Sequence, residues 1–119
     1  MKKIIHADNS EFFRKQMKTF LIEQGYTVES CNSGEEVLDV VNTGDAALVL
    51  TGLTLFDMDG EELIKKIATS RHTVPVIAVT ASDTEMKRMK LSALGVKAMI
   101  SKNGSWQEDL LPYLLEAVK

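Results

Sequence analysis

The sequence predicts an α/β protein with a doubly wound, five-stranded parallel sheet and five helices. Three observations lead to this prediction. Short apolar runs alternate strictly with longer amphipathic runs along all 119 residues, which is the pattern of repeated β–α units. Two of the short runs, AALVLT and VPVIAVTA, are almost continuously apolar, as expected for central strands that are covered on both faces. Motifs that start helices follow most of the strands.

Each predicted element has its own apolar signal. The predicted strands are residues 2–7, 26–31, 46–51, 74–81 and 97–101. A helical pattern follows each strand, with apolar residues three or four positions apart on one face. In chain order these faces are Phe13, Met17, Phe20 and Leu21; Val37, Leu38 and Val41; Leu63, Ile64 and Ile67; Met86, Met89 and Leu94; and Leu111, Leu114, Leu115 and Val118. We expect these faces to pack on the sheet, with Met86 and Met89 filling the core.

The helix boundaries have local signals as well. A capping box pairs a serine with a glutamate three residues later, because each side chain bonds a free backbone amide of the first turn. Three such pairs precede predicted helices, and a fourth, aspartate-based pair resembles them: Ser33 with Glu36, Ser82 with Glu85, Ser105 with Glu108, and Asp59 with Glu62. Gly25 and Gly95 stand where the first and fourth helices should end.

Composition excludes several classes of protein. The content of 45% hydrophobic and 26% charged residues is that of an ordinary globular protein, and residues 1–119 are predicted to form one domain. A net charge of −3 argues against direct binding of nucleic acid. Cys31 is the only cysteine and cannot form an internal disulfide, which favours a cytoplasmic location. No apolar run approaches the roughly 20 residues of a membrane span, and the N-terminus does not resemble a signal peptide.

Polar residues follow the predicted strands at their carboxyl ends. In an open α/β sheet this edge forms the binding crevice, so residues from different strands should meet there. They are Asp8, Asn9 and Ser10 after the first strand; Thr51 and Gly52 after the third; Thr80 and Ala81 after the fourth; and Ser101, Lys102 and Asn103 after the fifth. The predicted crevice therefore contains a carboxylate, an amide, hydroxyls and an ammonium group.

Four motifs carry a resemblance to a known family. They are KKIIHADNS, DAALVLTGLTLFDMDGEELIKKI, VPVIAVTA and ALGVKAMISKN. In this order and spacing the chain resembles the receiver domain of two-component response regulators, from Lys2 to about Val118. The resemblance implies a flavodoxin-like strand order of 2-1-3-4-5. It also implies a site in which an aspartate after the third strand accepts a phosphoryl group from a histidine kinase, near Mg²⁺ held by two acidic residues.

This sequence departs from the family pattern at the acceptor. Asp8 matches the first acidic residue, but Asn9 occupies the place of the second. Thr80 and Lys102 match the hydroxyl and the lysine that contact the phosphoryl oxygens. The position that matches the acceptor aspartate is Gly52, because Gly60 in DMDG aligns with the family's glycine before the third helix.

Three other family positions are also changed. Phe56 replaces the usual loop proline, Asn103 replaces the proline after the lysine, and Met99 stands where an aromatic switch residue is common.

The predicted crevice is a poor site for a metal ion. Mg²⁺ is normally recruited by several carboxylates, and Asp8 alone makes a poor site, so we expect no metal and no cofactor. Instead, Asp8 is expected to pair with Lys102 or to cap the first helix.

Other candidate residues have structural interpretations. Thr51 should point to the opposite face of the sheet from residue 52, and Asp57 and Asp59 should form turns or cap helices. His6 lies inside an apolar strand and should be packed there, without a metal to bind. Phe12 and Phe13 are adjacent, so one of them should lie at the surface.

These observations predict a degenerate, non-enzymatic receiver domain that signals by protein–protein contact, independently of phosphorylation. Fewer carboxylates mean less like-charge repulsion, so we expect one stable conformation. The partner would be a signalling protein, such as a histidine kinase or an output domain. The predicted partner face contains Lys87, Lys90, Met99, Trp106 and Gln107. Two alternatives stay open: a phosphorelay receiver phosphorylated at a non-standard residue, and a flavodoxin-like binder of a small anion.

Overall fold

The computed structural model describes residues 2–117. The strands are β1 (Lys3–Ala7), β2 (Val28–Cys31), β3 (Ala46–Thr51), β4 (Val76–Thr80) and β5 (Ala98–Ser101). The helices are α1 (Glu11–Glu23), α2 (Gly34–Thr43), α3 (Gly60–Ala68), α4 (Glu85–Ala93) and α5 (Trp106–Ala117). All five strands are parallel and lie in the order β2-β1-β3-β4-β5. The predicted fold is therefore confirmed.

The helices cover both faces of the sheet. One apolar cluster joins the sheet to α2, α3 and α4 through residues such as Val37, Leu63 and Leu91. The other joins it to α1 and α5 through residues such as Met17 and Leu110. The β3 strand is buried along its whole length, which explains its continuous apolar sequence.

Two of the predicted caps begin their helices as expected. Ser33 Oγ accepts a hydrogen bond of 3.2 Å from the Glu36 backbone N–H at the start of α2. Asp59 Oδ1 accepts one of 2.7 Å from the Glu62 N–H at the start of α3. Ser105 immediately precedes α5, and its carbonyl accepts a hydrogen bond from the Asp109 N–H.

The predicted cap at Ser82 is wrong. The α4 helix begins two residues later, where Thr84 Oγ1 accepts a hydrogen bond of 3.2 Å from the Lys87 N–H. The Ser82 hydroxyl has another partner, because Lys87 Nζ donates to it over 2.8 Å. Gly25 and Gly95 do lie where α1 and α4 end, with φ of +91° and +94°, in the left-handed region that favours glycine.

Two predicted apolar faces need correction. Met86 and Met89 are 81% and 66% exposed, so they do not fill the core. Leu91 is the buried residue of α4, and the two methionines lie about 140° and 160° around the helix from it.

On α5 the buried positions are Trp106, Leu110 and Leu114, spaced four residues apart. Leu115 is 65% exposed, because it lies about 100° around the helix from Leu114. Leu111 is partly buried against the same cluster. Val118 was assigned to this face, but it lies outside the described residues.

Candidate functional site

A cleft of about 230 Å³ opens at the carboxyl ends of the strands. Its lining brings together Asp8 and Asn9 from the end of β1, Gly52 after β3, Thr80 from β4 and Lys102 after β5. These residues are far apart in the chain and meet because parallel strands place their carboxyl ends at one edge. The structure thus brings together all five crevice residues that were matched to the family's site.

Asp8 and Lys102 form an ion pair in the cleft. Lys102 Nζ lies 2.6 Å from Asp8 Oδ2, and the Asp8 residue is only 1% exposed. The same ammonium group lies 4.4 Å from the centre of the Phe13 ring, within the range of a cation–π contact. Pairing was one of two expectations for Asp8, and it is the one the structure bears out.

Asp8 does not itself cap the first helix. Its Oδ1 accepts a hydrogen bond of 2.9 Å from the Ser10 N–H. Ser10 is the cap, since its Oγ accepts from the Phe13 N–H over 3.1 Å. Oδ1 of Asp8 is therefore hydrogen-bonded, whereas Oδ2 has Lys102 as an ion-pair partner but accepts no hydrogen bond.

Gly52 leaves β3 without a side chain at the cleft. Its N–H donates a hydrogen bond of 2.8 Å to the Ala7 carbonyl, which fixes the backbone there. A Cβ built on Gly52 would lie 3.0 Å from Asp8 Oδ2, so a larger residue would require the Asp8 carboxylate to shift by a few tenths of an ångström. Thr51 is buried and does not line the cleft; its hydroxyl donates to the Gly52 carbonyl over 2.8 Å.

The loops after β4 and β5 are tied to each other. Thr80 Oγ1 accepts a hydrogen bond of 3.0 Å from the Ser82 N–H. Asn103 Nδ2 donates one of 3.0 Å to the Ala81 carbonyl. Lys87, which was predicted on the partner face, lines the cleft as well. The hydroxyl of Thr80 and the amide of Asn103 are therefore engaged in positioning the rim of the cleft.

The donor set of the cleft does not suit Mg²⁺. Among its lining residues Asp8 is the only acid, whereas Lys87 and Lys102 contribute two ammonium groups. Within residues 2–117, no three His, Cys, Asp or Glu side chains are grouped so that they could hold a metal ion. Because Mg²⁺ requires oxygen ligands and is repelled by cations, the residues present do not fit the group that the family resemblance implies.

The two loop aspartates cap different helices. Asp57 Oδ1 accepts a hydrogen bond of 2.8 Å from the Gly34 N–H, and its Oδ2 accepts one of 3.0 Å from the Glu35 N–H. These backbone hydrogen bonds, led by that from Gly34, hold the pKa of Asp57 below its ordinary value. Asp59 caps α3. Both residues thus have the capping role that their positions suggested, but the partner of Asp57 was not predicted.

His6 is packed in the core, as its position in the strand indicated. It is 0% exposed, and its ring meets the Phe13 ring edge-on with centroids 5.7 Å apart. Neither ring nitrogen has a hydrogen-bond partner. Burial lowers the pKa of His6 to about 4, because the charged form would lose its hydration. Phe13 is also buried, whereas Phe12 is 72% exposed, so the expectation that one of the pair lies at the surface is correct.

The predicted partner face lies only partly at the surface. Lys90 and Gln107 are exposed, but Met99 and Trp106 are each only 6% exposed. Met99 points into the cluster beneath α4, and Trp106 packs edge-on against Phe13 with ring centroids 5.2 Å apart. Trp106 therefore offers a partner almost no surface, and Met99 offers only a small area that lines a groove beside β5.

The predicted partner residues lie on the face built by α4, β5 and α5, and this face contains a groove that the sequence did not indicate. Its volume is about 670 Å³, and its lining includes Arg88, Lys97, Glu108, Asp109 and Tyr113. Arg88 is fixed there by a hydrogen bond of 3.3 Å to the Met99 carbonyl and by two bonds, 2.9 and 2.7 Å, to Asp83. The spacing of five residues between Asp83 and Arg88 was the only available signal for this pair.

These features agree with comparisons to known proteins. The model of the response regulator receiver domain family matches residues 4–113, and the chain therefore belongs to this family, whose members act in two-component signalling. A receiver domain protein (CheY-like) from Methanospirillum hungatei has 28% identity and a TM-score of 0.85, covering 98% of this chain and 92% of that one. The N-terminal receiver domain of Klebsiella pneumoniae RstA, at 19% identity, supports the fold alone, with a TM-score of 0.88 over 99% of this chain and 100% of that one.

Two relatives show how this chain compares with longer regulators. The transcriptional regulatory protein PcoR of Escherichia coli is 26% identical over 86% of this chain. The alkaline phosphatase synthesis transcriptional regulatory protein PhoP of Bacillus subtilis is 28% identical over 90% of it. The chain spans about 45% of the length of each relative. No helix within residues 2–117 has the length and apolar character that a membrane crossing requires.

Proposed function

We propose that this receiver domain signals by protein–protein contact and does not use a phosphoryl group at the end of β3. The observation that carries the proposal is Gly52, which has no side chain at the position where β3 enters the cleft. Transfer of a phosphoryl group to the protein requires a nucleophilic side chain. The cleft's one carboxylate, Asp8, is already neutralised by Lys102 at 2.6 Å.

The contacts of the neighbouring carboxylates support the same proposal. Both oxygens of Asp57 accept backbone hydrogen bonds from α2, and Asp59 holds the first turn of α3. Phosphorylation of either residue would use a carboxylate that now accepts a backbone hydrogen bond, so the cap would have to rearrange around the phosphoryl group. A phosphorelay role at a non-standard residue has correspondingly less support. Binding of a small anion also has less support, because the Lys102 charge is compensated by Asp8.

Internal contacts support a domain that needs no phosphoryl group to fix its conformation. The Lys102–Asp8 pair joins the end of β5 to the end of β1. The Asn103–Ala81 hydrogen bond joins the loop after β5 to the loop after β4. In this proposal the ammonium of Lys102 already has the anionic partner that a phosphoryl group would otherwise supply.

The domain is accordingly proposed to be a cytoplasmic, non-enzymatic signalling module. Its partner is proposed to be a histidine kinase or an output domain, met through the exposed part of the α4–β5–α5 surface that includes Lys90 and Gln107. The relatives PcoR and PhoP are named transcriptional regulatory proteins, but the mild charge of −3 favours a protein partner over DNA for this domain.

Intact-mass measurement after incubation with acetyl phosphate and Mg²⁺ tests the proposal. The native chain is expected to gain no phosphoryl group. Gly52→Asp restores a carboxylate at the cleft, and Gly52→Asn is its matched control without a nucleophile. A one-phosphoryl gain in the native chain would refute the proposal, and site mapping would then begin with Asp57, Asp59 and Asp8. A gain in the Asp variant alone would show that the nucleophile is the only missing part.

A further inference from the structure

Three consecutive residues of the loop between β3 and α3, Phe56, Asp57 and Met58, contact the start of α2. The Phe56 N–H donates a hydrogen bond of 3.3 Å to the Asn32 carbonyl. The Asp57 carboxylate accepts bonds of 2.8 and 3.0 Å from the Gly34 and Glu35 N–H groups. These contacts join segments more than 20 residues apart in the chain and satisfy two backbone donors that an uncapped helix would leave free.

The third contact is a close packing of Met58 on Gly34. A Cβ built on Gly34 would lie 2.5 Å from Met58 Sδ, so the Met58 side chain in its present position packs directly on the glycine and would have to move if a larger residue stood there. Gly34 is buried although it is the first residue of its helix. The loop therefore meets α2 through a carboxylate, a backbone amide and a fitted apolar surface.

The same loop is joined tightly to the cleft. The Gly60 N–H donates a hydrogen bond of 2.9 Å to the Leu53 carbonyl, and Thr54 and Asp59 form an isolated antiparallel bridge. A Cβ on Gly60 would lie 2.6 Å from the Gly52 carbonyl oxygen. Because both ends of the loop meet beside Gly52, a displacement of the loop moves the backbone that lines the cleft.

We propose that residues 53–59 are a clasp that couples the amino end of α2 to the cleft, with Asp57 as its positioning residue. A displacement at the start of α2 is then transmitted to the backbone of the cleft, and a displacement at the cleft is transmitted to the start of α2. This coupling goes beyond the proposed signalling function and does not depend on whether the domain accepts a phosphoryl group.

Amide hydrogen exchange and amide resonances in Asp57→Ala and Asp57→Asn test the clasp. Asp39→Ala is the matched control, since Asp39 is an exposed residue of α2 that loses the same charge. In Asp57→Ala the exchange of the Gly34 and Glu35 amides is expected to rise about fivefold or more, the effect of a lost cap. Asp57→Asn is expected to show a smaller rise, because its amide oxygen still accepts one hydrogen bond.

The coupling itself is measured at the cleft. In Asp57→Ala the amide resonances of Gly52, Leu53 and Gly60 are expected to shift, while those of α5 stay unchanged. A change confined to Gly34 and Glu35 would overturn the coupling, as would no change at all. A uniform rise in exchange across the sheet would overturn it too, since that shows only global destabilisation. None of these readouts involves a phosphodonor, so their failure is separate from failure of the proposed function.

Discussion

Loss of the Lys102 ammonium is expected to destabilise the domain more than loss of the Asp8 carboxylate. The two groups form one ion pair, but their exposure differs: the side chain of Lys102 is 20% exposed and that of Asp8 is 2% exposed. After Lys102→Met, the Asp8 carboxylate is left without its cationic partner in a site that water barely reaches. After Asp8→Ala, the flexible lysine can turn its ammonium group toward solvent.

The distance sets the scale of the effect. At 2.6 Å and an effective dielectric constant of about 20, the attraction between two unit charges is about 6 kcal/mol. Desolvation of each ion offsets several kcal/mol of this. Removing one partner from a buried pair typically costs about 3–5 kcal/mol, and partial exposure of Lys102 places Lys102→Met near 3 kcal/mol. For Asp8→Ala we expect about 2 kcal/mol: about 1 kcal/mol for the pair, as for pairs that water can reach, and about 1 kcal/mol for the lost hydrogen bond from the Ser10 N–H.

Urea unfolding followed by the fluorescence of Trp106 measures both values. Trp106 is the only tryptophan and is buried against Phe13, so its emission reports loss of the core around the pair. Lys66→Met is the matched control, because Lys66 is half exposed and pairs with Glu62 at the surface; it should change stability by less than about 0.5 kcal/mol.

The double variant, Asp8→Ala with Lys102→Met, completes the cycle. It should be less destabilised than Lys102→Met alone, because no buried charge then lacks a partner. If Lys102→Met costs no more than Asp8→Ala, or if the two losses simply add, the neutralisation of Asp8 by Lys102 is not the interaction that holds the cleft together.

Three further predictions concern the cleft and the core beneath it. Gly52→Asp should lower the free energy of unfolding by at least about 1 kcal/mol more than Gly52→Asn, because the new carboxylate lies next to that of Asp8. Mg²⁺ should remove this difference, and equal losses for the two variants in urea titrations would contradict the repulsion argument. Phe13→Ala should cost about 3–5 kcal/mol and Phe12→Ala less than about 0.5 kcal/mol, with similar values counting against the observed orientation of α1. Burial lowers the pKa of His6 to about 4 from 6.5, so as the pH falls the unfolded chain is protonated at His6 before the folded chain. The free energy of unfolding should therefore fall by up to about 3 kcal/mol between about pH 6.5 and pH 4, and His6→Leu should abolish this contribution in urea titrations over the same pH range.

Local patterns predicted the elements well where the stabilising contact is itself local. The cap at Ser33 joins residues three apart, so a short stretch of sequence contains both partners. The cap at Ser82 was misassigned because Thr84 offers a second cap two residues later. In the folded chain the Lys87 backbone N–H donates to Thr84 Oγ1, and the Lys87 ammonium group donates to the Ser82 hydroxyl.

The face that a short helix turns toward the sheet was harder to predict. The α4 helix has apolar residues on two sides, and only packing selects Leu91 over Met86 and Met89. The burial of Trp106 depends on the ring of Phe13, which comes from a helix at the other end of the chain. No periodicity within one helix contains that information.

The amino-acid sequence by itself determined the parallel α/β fold, the receiver resemblance and the chemical groups available at the crevice. The lack of a side chain at Gly52 and the presence of a single acid, Asp8, follow from covalent structure alone. Tertiary structure decided which of these groups meet: Lys102 with Asp8, and Asp57 with the amides of α2. The physical reason is that hydrogen bonds and ion pairs act over about 3 Å, so a contact between segments 22 or more residues apart exists only after the chain has folded.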